Sequence, residues 1–306
     1  MAWADAIGYR AVMTDLTVAV PVFNGEADLD AALWNIRRQT ESDFSIVVYD
    51  NASTDATPQI AARHAGEDPR IRVVRRPENI GLVPNFVAAV RDATTEFFAW
   101  HAVDDIWSAD YVAELRKLLR ARPDAWLAVP GQIVQSTVLN RTKRRPLPLP
   151  LSERTPRLLR VLKAMSASRS AWLYGMWRRD PLLTAYRRVL DGYPVVYVHD
   201  TLVVLQALLR DAVTGSDVPT FTQRVGHQKM YDLPATAAGR RAVWADFVRF
   251  CHAEIGRLDC SDAAKAVLHA YVAKFADKRC MRVADLVRWS LAERLGLKAR
   301  GLSEYA

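Results

Sequence analysis

The first hundred residues alternate short apolar runs with amphipathic segments, and this alternation limits the fold more than any other feature of the sequence. Apolar runs rich in β-branched and aromatic residues predict strands at Leu16–Val22, Ser45–Tyr49, Ile71–Val74 and Phe97–Trp100. Helical spacing predicts helices over Asp28–Gln39, from Thr57-Pro58 to just before Gly66, and over about Asn85–Asp92. Such alternation produces right-handed crossovers, so we predict an α/β fold with a mostly parallel sheet flanked by helices.

A polar side chain follows each predicted strand, in the order Asn24, Asp50, Asn79 and Asp104. In an open parallel sheet the carboxyl ends of the strands share one edge, and ligands bind just beyond that edge. Any one of these residues would also suit a turn, because Asn and Asp favour turns through local hydrogen bonds. Four of them at equivalent positions indicate a binding site.

Two adjacent carboxylates, Asp104 and Asp105, come soon after the fourth strand. A carboxylate at a strand end can hold a divalent cation, and the cation can hold a phosphate. The alternative is a cap for the next helix, but Ser108 is placed for that role, with Asp110 in the first turn of a helix through Leu118. No GxGxxG follows the first strand and no GxxxxGK[ST] occurs, which argues against a dinucleotide fingerprint and a P-loop.

The composition predicts a cytoplasmic protein with an anionic ligand. The formal net charge of +8 suits an anionic ligand or membrane surface but is too diffuse to indicate nucleic acid. Met1–Thr14 lacks the apolar core of a signal peptide, and no window reaches the apolar length of a membrane span. The three cysteines match no CxxC-type zinc spacing and are expected to be free thiols: Cys251, Cys260 and Cys280.

Three motifs occur in order, namely VAVPVFNGEADLDAALWNIRRQTESDFSIVVYDNASTDAT, PENIGLVPNF and FFAWHAVDDIW. Together they resemble the N-terminal half of family 2 glycosyltransferases, which have the GT-A fold. The resemblance is strong over Leu16–Trp107 and weaker over Trp172–His227. It implies a GT-A domain over residues 16–232, preceded by an N-terminal extension over residues 1–15. From Leu233 onward the pattern is helical alone, which predicts an all-helical C-terminal region over residues 233–306. The implied activity is metal-dependent inverting sugar transfer from a nucleoside diphosphate to an acceptor hydroxyl, in cell-surface polysaccharide or lipid-linked glycan synthesis.

On that resemblance, residues at the strand ends would bind the donor. The nucleobase and ribose pocket would be lined by Pro21, Phe23 and Asn24, with Glu26 as a ribose contact. The rest of the nucleotide-sugar set would be Asp50, Asn79, Asp104, Asp105 and Arg224. Asp50 would accept a base N–H. Because a carboxylate only accepts hydrogen bonds, it suits uracil, thymine or guanine better than adenine or cytosine, so the donor would carry UDP, dTDP or GDP.

The resemblance also implies Mg²⁺ or Mn²⁺ against the diphosphate, with Asp104 and His227 as ligands. One departure falls here, because Ala102 stands where the family has an aspartate two residues before Asp104. Asp104 with Asp105 would suffice if water and phosphate supply the other ligands. His101 is either a substitute ligand or an ordinary strand-end residue. Because this carboxylate is missing, the alternative function is a nucleotide-sugar-binding protein without transferase activity.

The segment Ser170–Pro181 resembles the acceptor side of the family. There Trp172 would stack on a sugar, Gly175 would allow close approach and Arg178 or Arg179 would meet an anion. Core packing explains the aromatic residues equally well. The residue that matches the family's general base is Asp200, with His199 in place of the usual glutamate. The alternative role for Asp200 is a helix N-cap.

Two later segments are basic. Asn140–Pro150 predicts a solvated loop, or a flap that orders over a phosphate-bearing donor or acceptor. Helices are predicted over Val243–Ile255 and Ala263–Leu297. Mixed basic and apolar residues over Lys274–Trp289 predict either packing against the sheet domain or an interfacial helix at the inner face of the membrane, near a lipid-linked acceptor.

Overall fold

The computed structural model describes residues 14–149, 152, 154–226 and 233–294. The strands are β1 (Leu16–Val22), β2 (Ser45–Asp50), β3 (Ile71–Arg75), β4 (Phe97–Trp100), β5 (Ile106–Trp107), β6 (Leu127–Ser136), β7 (Arg141–Arg145), β8 (Met176–Arg178) and β9 (Val213–Val225). The α-helices are α1 (Leu29–Arg37), α2 (Thr57–Glu67), α3 (Leu82–Asp92), α4 (Tyr111–Ala121), α5 (Arg157–Ala167), α6 (Arg179–Gly192), α7 (His199–Leu209), α8 (Ala237–Gly256), α9 (Asp262–Arg279) and α10 (Val283–Arg294). A 3₁₀ turn covers Ser170–Tyr174.

Nine strands in this part of the chain form one sheet, in the order β3-β2-β1-β4-β8-β6-β9-β5, with β7 paired to β6. Strands β1 to β4 are parallel, and β8 is antiparallel to both of its neighbours, β4 and β6. Two reversals restore the direction, so β6 and its parallel partner β9 point the same way as β4. The predicted α/β fold with a mostly parallel sheet is confirmed.

Buried apolar side chains lie on both faces of the sheet, as the continuous apolar runs of the parallel strands require. One face is covered by α1, α2 and α4, through residues such as Leu33 and Leu115. The other face is covered by α3, α5, α6 and α7 and by the C-terminal helices, through residues such as Val90 and Leu205. Helices on both faces leave the edge where β1 to β4 end, called here the carboxyl edge, for the connecting loops.

The predicted elements before Trp100 agree with the structure to within three residues. The bounds of β1 and β4 are those predicted. The helix α2 runs to Glu67, so it includes Gly66, which was expected beyond its end. Its last turn closes instead at Asp68, where the backbone becomes extended.

Larger differences lie in the second half of the chain. One long strand, β6, lies in a region for which no strand is predicted above, and its register with β9 shifts between Pro130 and Gly131. The segment Asn140–Pro150, expected as a loop, contains β7, which pairs with the second half of β6. All of β7 is exposed, and its sequence RTKRR places basic side chains on an edge strand, which discourages pairing with other chains.

The direction of β9 orients α7 toward the carboxyl edge. Residues Arg210–Ala212 connect the end of α7 to the start of β9, and the carbonyl of Ala212 accepts from the amide of Trp126 just before β6. The C-terminal end of α7 therefore lies where β6 begins. A helix of 11 residues is about 16 Å long, so its N-terminal end, with His199 and Asp200, lies toward the carboxyl edge.

After residue 233 the described chain is helical, as predicted, and the side chains of Thr236 and Ser261 cap α8 and α9. The helix expected over Ala263–Leu297 is interrupted at Cys280, between α9 and α10. Four of the apolar side chains considered for membrane contact are buried in the core: Phe275, Met281, Leu286 and Trp289. Packing against the sheet domain therefore accounts for most of this segment. The three cysteines are free thiols. None of the helices in the described ranges combines the length and apolarity needed to cross a bilayer.

Candidate functional site

The loops after the parallel strands meet at the carboxyl edge because these strands end in register. Val22 pairs with Asp50, and Asp50 pairs with Arg75. The buried side chain of Asn51 joins the loop after β2 to the loop after β3. Its Nδ2 donates to Asn79 Oδ1 at 2.8 Å, and its Oδ1 accepts from the amide of Ile80 at 3.0 Å. The strand-end residues predicted from the sequence are thus held within one hydrogen-bonded edge.

One oxygen of the Asp50 carboxylate accepts no hydrogen bond from the described residues. The side chain is fully buried, and Oδ1 accepts from the amide of Ser53 at 2.9 Å. The buried Oδ2 has no hydrogen-bond partner in the described part of the chain, and the nearest cation is Arg75, with Nε at 3.4 Å. An acceptor that is buried and unsatisfied is costly unless a ligand completes it.

The loop after β1 is tied to the loop after β2. The amide of Asn24 donates to Ser53 at 2.9 Å, and Asn24 Oδ1 accepts from the amide of Thr54 at 2.9 Å. Asn24 adopts a positive φ of 49°, which Asn tolerates better than most residues. Glu26 Oε2 accepts from the amide of Ala56 at 2.9 Å, so this carboxylate already serves the protein as well as being a candidate ribose contact.

Phe23 is an aromatic residue of this edge that faces water. It is 48% exposed, whereas Pro21 is buried within β1. An exposed aromatic ring between two polar loops provides a flat surface on which a base can stack. Phe23 directly follows Val22, the last residue of β1, and Val22 pairs with Asp50, the last residue of β2. Phe23 and Asp50 therefore lie at the same corner of the edge.

Asp104 and Asp105 lie in the loop between β4 and β5. A turn closed by the amide of Asp105 on the carbonyl of Ala102, at 3.1 Å, presents Asp104 at the surface and buries Asp105. Burial, followed by the charge of Asp104, raises the pKa of Asp105 to about 8. Desolvation also raises the pKa of Asp104, and the carboxylate of Asp28 adds to that rise. The negative charge of Asp104 thus disfavours a second negative charge on Asp105.

The donor set of this loop fits a hard divalent cation. Mg²⁺ and Mn²⁺ bind carboxylate oxygens and take their remaining ligands from water and phosphate, and Asp104 offers such an oxygen at the surface. Over the ranges that the structure describes, no three His, Cys, Asp or Glu side chains converge as a metal site. His227, the other predicted ligand, lies outside the described residues.

His101 is not placed to substitute for the aspartate that Ala102 replaces. Its ring is fully buried, 3.1 Å from Asn35 Oδ1 through Nε2, and packs 4.7 Å from the ring of Trp107. Burial lowers the pKa of His101 to about 4, so the ring is neutral at physiological pH. The structure therefore favours the strand-end role for His101.

Arg224 reaches the carboxyl edge from β9. Its Nε donates to the carbonyl of Asp104 at 2.6 Å, and its guanidinium also binds Asp28. The pairing of β5 with β9, which aligns Ile106 with Thr222, brings Arg224 to this position. A cation beside Asp104 suits the predicted phosphate contact, since a diphosphate bound at Asp104 would meet both groups.

Asp200 lies at the N-terminal end of α7, where its Oδ1 accepts from the amide of Thr201 at 2.6 Å. Burial raises the pKa of Asp200, and hydrogen bonds from the backbone and side chain of Thr201 partly offset that rise. The helix begins after Val198, whose φ of 60° is unusual for a β-branched residue. Strained backbone of this kind is concentrated at functional sites, where the rest of the fold holds it in place.

The predicted acceptor-side residues take structural contacts instead. Trp172 is 1% exposed and belongs to the core, so core packing is the correct alternative for it. A Cβ on Gly175 would lie 2.4 Å from the carbonyl of Ala128, so the close approach at this glycine is to β6 and not to a ligand. Arg178 pairs with the first residue of β4 and donates to carbonyls of Leu119 and Ala125, at the edge opposite to Asp104. The antiparallel direction of β8 puts it there.

Three residues of the edge were not predicted from the sequence. Asn51 links two loops, Arg75 faces Asp50, and Asp28 pairs with Arg224. Extending the strand-end argument by one residue would have found Asn51, which follows Asp50, and Arg75, the last residue of β3. The pairing of Asp28 with Arg224 carries no local signal, because the two are far apart in the chain.

Comparison with known proteins agrees with this geometry. The family model described as "Glycosyl transferase family 2" matches residues 17–180, which is more than half of the chain. EpsH of Bacillus subtilis, which carries the name of a glycosyltransferase, is 31% identical over 100 residues, and the match covers 33% of this chain and 29% of EpsH. The matched region is therefore less than a third of that relative's length.

Solved structures agree on the fold. TarS of S. aureus in complex with UDP-GlcNAc superposes with a TM-score of 0.64 at 18% identity, covering 88% of this chain and 74% of TarS. The mannosyltransferase PcManGT of Pyrobaculum calidifontis, in complex with GDP-Man and Mn²⁺, gives 0.54 at 21% identity, covering 94% of this chain and 76% of that one. With the family model matched over more than half of its residues, the chain belongs to glycosyl transferase family 2.

Proposed function

We propose that the chain is an inverting glycosyltransferase that moves a sugar from a nucleoside diphosphate to an acceptor hydroxyl. The observation that carries this proposal is the buried Asp50 carboxylate, whose Oδ2 lacks a hydrogen-bond partner among the described residues. It lies at the edge where family 2 proteins are expected to bind their donor. A base with an N–H beside a carbonyl would satisfy that oxygen, so the donor nucleotide would be UDP, dTDP or GDP. TarS with UDP-GlcNAc and PcManGT with GDP-Man support this class of ligand.

The remaining donor contacts follow from the position of the base. Phe23 would stack on it, while Asn24 and Asn79 would hold the ribose side of the pocket. Arg224 would then contact the diphosphate, since it already stands beside Asp104. A divalent cation bound at Asp104 would offset the negative charge that develops on the leaving diphosphate, and the Mn²⁺ in PcManGT supports that expectation.

Asp200 would act as the general base. It would accept the proton of the acceptor hydroxyl while that oxygen forms a bond to the anomeric carbon. The bond from that carbon to the diphosphate breaks in the same step, and its electron pair leaves with the nucleoside diphosphate. Burial raises the pKa of Asp200, which brings the carboxylate closer to the basicity that favours proton transfer near neutral pH. Attack from the opposite face inverts the anomeric configuration.

The test is a panel of nucleotide sugars, each incubated with the protein and Mg²⁺ or Mn²⁺, with or without glycan and lipid-linked acceptors. We expect release of nucleoside diphosphate from a uridine, thymidine or guanosine donor, faster when a suitable acceptor is present. Release from adenosine or cytidine donors at the same rate would contradict the role of Asp50. Loss of release in EDTA would support the cation at Asp104.

One observation favours a second candidate, a nucleotide-sugar-binding protein without transferase activity. Ala102 lacks the carboxylate that the resembling family keeps two residues before Asp104, so the donor site has one acid fewer. The same panel separates the two functions. Saturable binding of a nucleotide sugar, with no release of nucleoside diphosphate over hours in the presence of metal and acceptors, would establish the binding protein.

A further inference from the structure

A pocket with a volume of about 520 Å³ shares no lining residue with the donor site described above. It is bounded by β7 and the residues that follow it, by the end of α5 and by the end of α9. Its volume lies within the range of ligand sites. Six basic side chains line it and define what is called here the basic pocket: Lys143, Arg144, Arg145, Arg169, Lys278 and Arg279.

None of these six side chains forms an ion pair with any residue that the structure describes. The lining of the pocket includes no acid, and the carboxylate of nearby Asp217 is occupied by the amide of Leu147, at 2.9 and 3.1 Å. Some partly buried arginines elsewhere in the chain are paired, as Arg160 is with Asp211 and Arg37 with Glu67. No acid among the described residues therefore neutralises the positive charge of this pocket.

The charges in the basic pocket repel one another. Burial, together with the charges of Arg169 and Arg145, lowers the pKa of Arg279 to about 10. Burial and then Arg145 lower the pKa of Arg169, and burial followed by Arg279 lowers that of Lys278. Each of these shifts marks a cation that the fold holds at a cost, which a bound anion would reverse.

Part of this charge has a structural role. Lys278 and Arg279 donate to the carbonyl of Ser166, at 2.6 and 2.9 Å, and so stabilise the negative end of α5. Arg169 donates to the carbonyls of Arg145 and Pro146. These contacts use one or two of the five N–H groups of each arginine, and the buried Nε of Arg279 has no partner in the described residues. Lys143 has no such role, since its side chain forms no hydrogen bond or ion pair with the described residues.

The basic pocket is connected to the segment that carries the proposed base. Tyr197, three residues before Asp200, donates its hydroxyl to the carbonyl of Cys280 at 2.8 Å, and Cys280 follows Arg279 directly. The 3₁₀ turn that begins just after Arg169 packs against α7. One hydrogen bond and one packing contact thus connect the lining of the basic pocket to the segment that carries Asp200.

We propose that the basic pocket binds a phosphate or diphosphate group of the acceptor and thereby holds the acceptor hydroxyl toward Asp200. The inference about the acceptor rests on the proposed transferase function, whereas the anion site itself does not. One guanidinium group can bind two oxygens of a phosphate through two parallel hydrogen bonds. The arginines of the pocket supply unused N–H donors for such contacts. The phosphate can belong to a soluble phosphorylated glycan or to a lipid headgroup, and the chemistry of the site is the same for both.

Binding of inorganic pyrophosphate to the full chain tests the site, measured by calorimetry at low ionic strength with EDTA present to silence any metal-dependent site. We expect saturable binding that weakens with salt. The Arg169→Gln/Arg279→Gln double variant should lose at least tenfold in affinity. Because those arginines also contact backbone carbonyls, Lys143→Gln provides a second variant on an exposed strand, with an expected loss of a few-fold.

The matched control is Lys265→Gln, which removes the same charge from α9 more than three turns away from Lys278 and should bind pyrophosphate as the parent does. Equal affinity in the parent, Lys143→Gln and the double variant would overturn the proposal. So would a loss of EDTA-resistant binding in Arg224→Gln alone, because the anion would then lie at the donor edge.

Vesicles separate the two sources of phosphate. Binding to phosphatidylglycerol vesicles but not to phosphatidylcholine vesicles, weakened in Lys143→Gln and lost in the double variant, would support a lipid headgroup. Pyrophosphate binding without vesicle binding would support a soluble phosphorylated acceptor. The donor panel described above fails or succeeds independently: turnover without pyrophosphate binding would remove only the phosphate site, and pyrophosphate binding without turnover on any donor would remove only the transferase function.

Discussion

The guanidinium of Arg224 donates to the backbone carbonyl of Asp104 at 2.6 Å, across 120 residues of sequence. The same side chain binds Asp28, which precedes α1. A cation from β9 therefore joins the first and fourth loops of the carboxyl edge, at the place proposed for the donor diphosphate. Arg224 therefore stabilises the two loops against each other and is also a candidate contact for the donor diphosphate.

Replacing Arg224 by Gln should weaken binding of the preferred nucleoside diphosphate about tenfold or more, because a charge-assisted hydrogen bond contributes about 1.5–3 kcal/mol. Calorimetry with and without Mn²⁺ measures the effect. Arg120→Gln is the control, since this exposed arginine pairs with Asp15 near the opposite edge of the sheet. Parent-like affinity in Arg224→Gln would leave the residue a structural link only.

Asp50→Asn should lower the affinity for the preferred nucleotide by about 10- to 100-fold, since the amide keeps an acceptor for Ser53 but loses the charge that faces the base. Selectivity among bases should also weaken, because an amide can donate as well as accept. Competition binding across the five nucleoside diphosphates measures both. Asp68→Asn makes the same change at a buried carboxylate paired with Arg70 and should leave nucleotide binding intact.

Asp104→Ala should abolish the metal-dependent part of nucleoside diphosphate binding without unfolding the protein, because the side chain lies at the surface. The difference between affinities in Mn²⁺ and in EDTA gives that part directly. Asp124→Ala, which removes an exposed carboxylate after α4, should preserve the difference. If Asp104→Ala preserves it as well, the cation is held elsewhere.

Asp200→Asn should reduce turnover by about 10²–10⁴-fold with little change in donor affinity. Burial raises the pKa of Asp200 above its ordinary value, so the folded state favours the protonated carboxyl and loses stability as pH rises through that raised pKa. The amide removes this loss and keeps the Oδ1 that accepts from Thr201, so the melting temperature at neutral pH should not fall. Normal turnover would show that Asp200 is only a cap, and Asp200→Ala would then lower the melting temperature.

The contact between His252 and His269 predicts acid sensitivity of the C-terminal helices. Their Nδ1 atoms lie 2.6 Å apart, so one ring must donate to the other. Burial and the charge of His269 lower the pKa of His252 below 6.5. The unfolded chain then binds more protons than the folded chain as pH falls through 6.5, so stability is lost there. Melting curves between about pH 7.5 and 5.5 should show a steeper fall for the parent than for His252→Gln; equal slopes would contradict the prediction.

The carboxyl edge was predictable because its residues are local to their strands. Asp50 and Asp104 are placed by the apolar runs that precede them, and parallel strands bring such ends together. The apolar runs predict where each strand ends, and the shared edge of parallel strands predicts that these ends lie together. The contribution of Arg224 also needed the resemblance, since nothing near residue 224 indicates which strand it meets.

The acceptor side was less predictable because it depends on strand direction and tertiary burial. A strand as short as β8 carries no sequence signal for running antiparallel, yet this direction sends Arg178 to the far edge. The same holds for β7, whose charged and polar residues give no apolar alternation although it pairs with β6 along its whole length. Trp172 shows the limit for aromatic residues, because stacking on a sugar and burial in a core require the same side chain.

The pairing of β6 with β9 has a consequence for how the protein is made. It aligns Leu127 with Val213 and Ser136 with Val225, so each contact closes a loop of more than eighty residues. Such nonlocal pairing is slow, because the entropy of loop closure is lost before the contacts form. Most donor-site side chains leave the ribosome within the first third of synthesis, but Arg224 arrives long afterwards. Nucleotide affinity should therefore appear only at the end of folding, which makes it a sensor of a completed sheet.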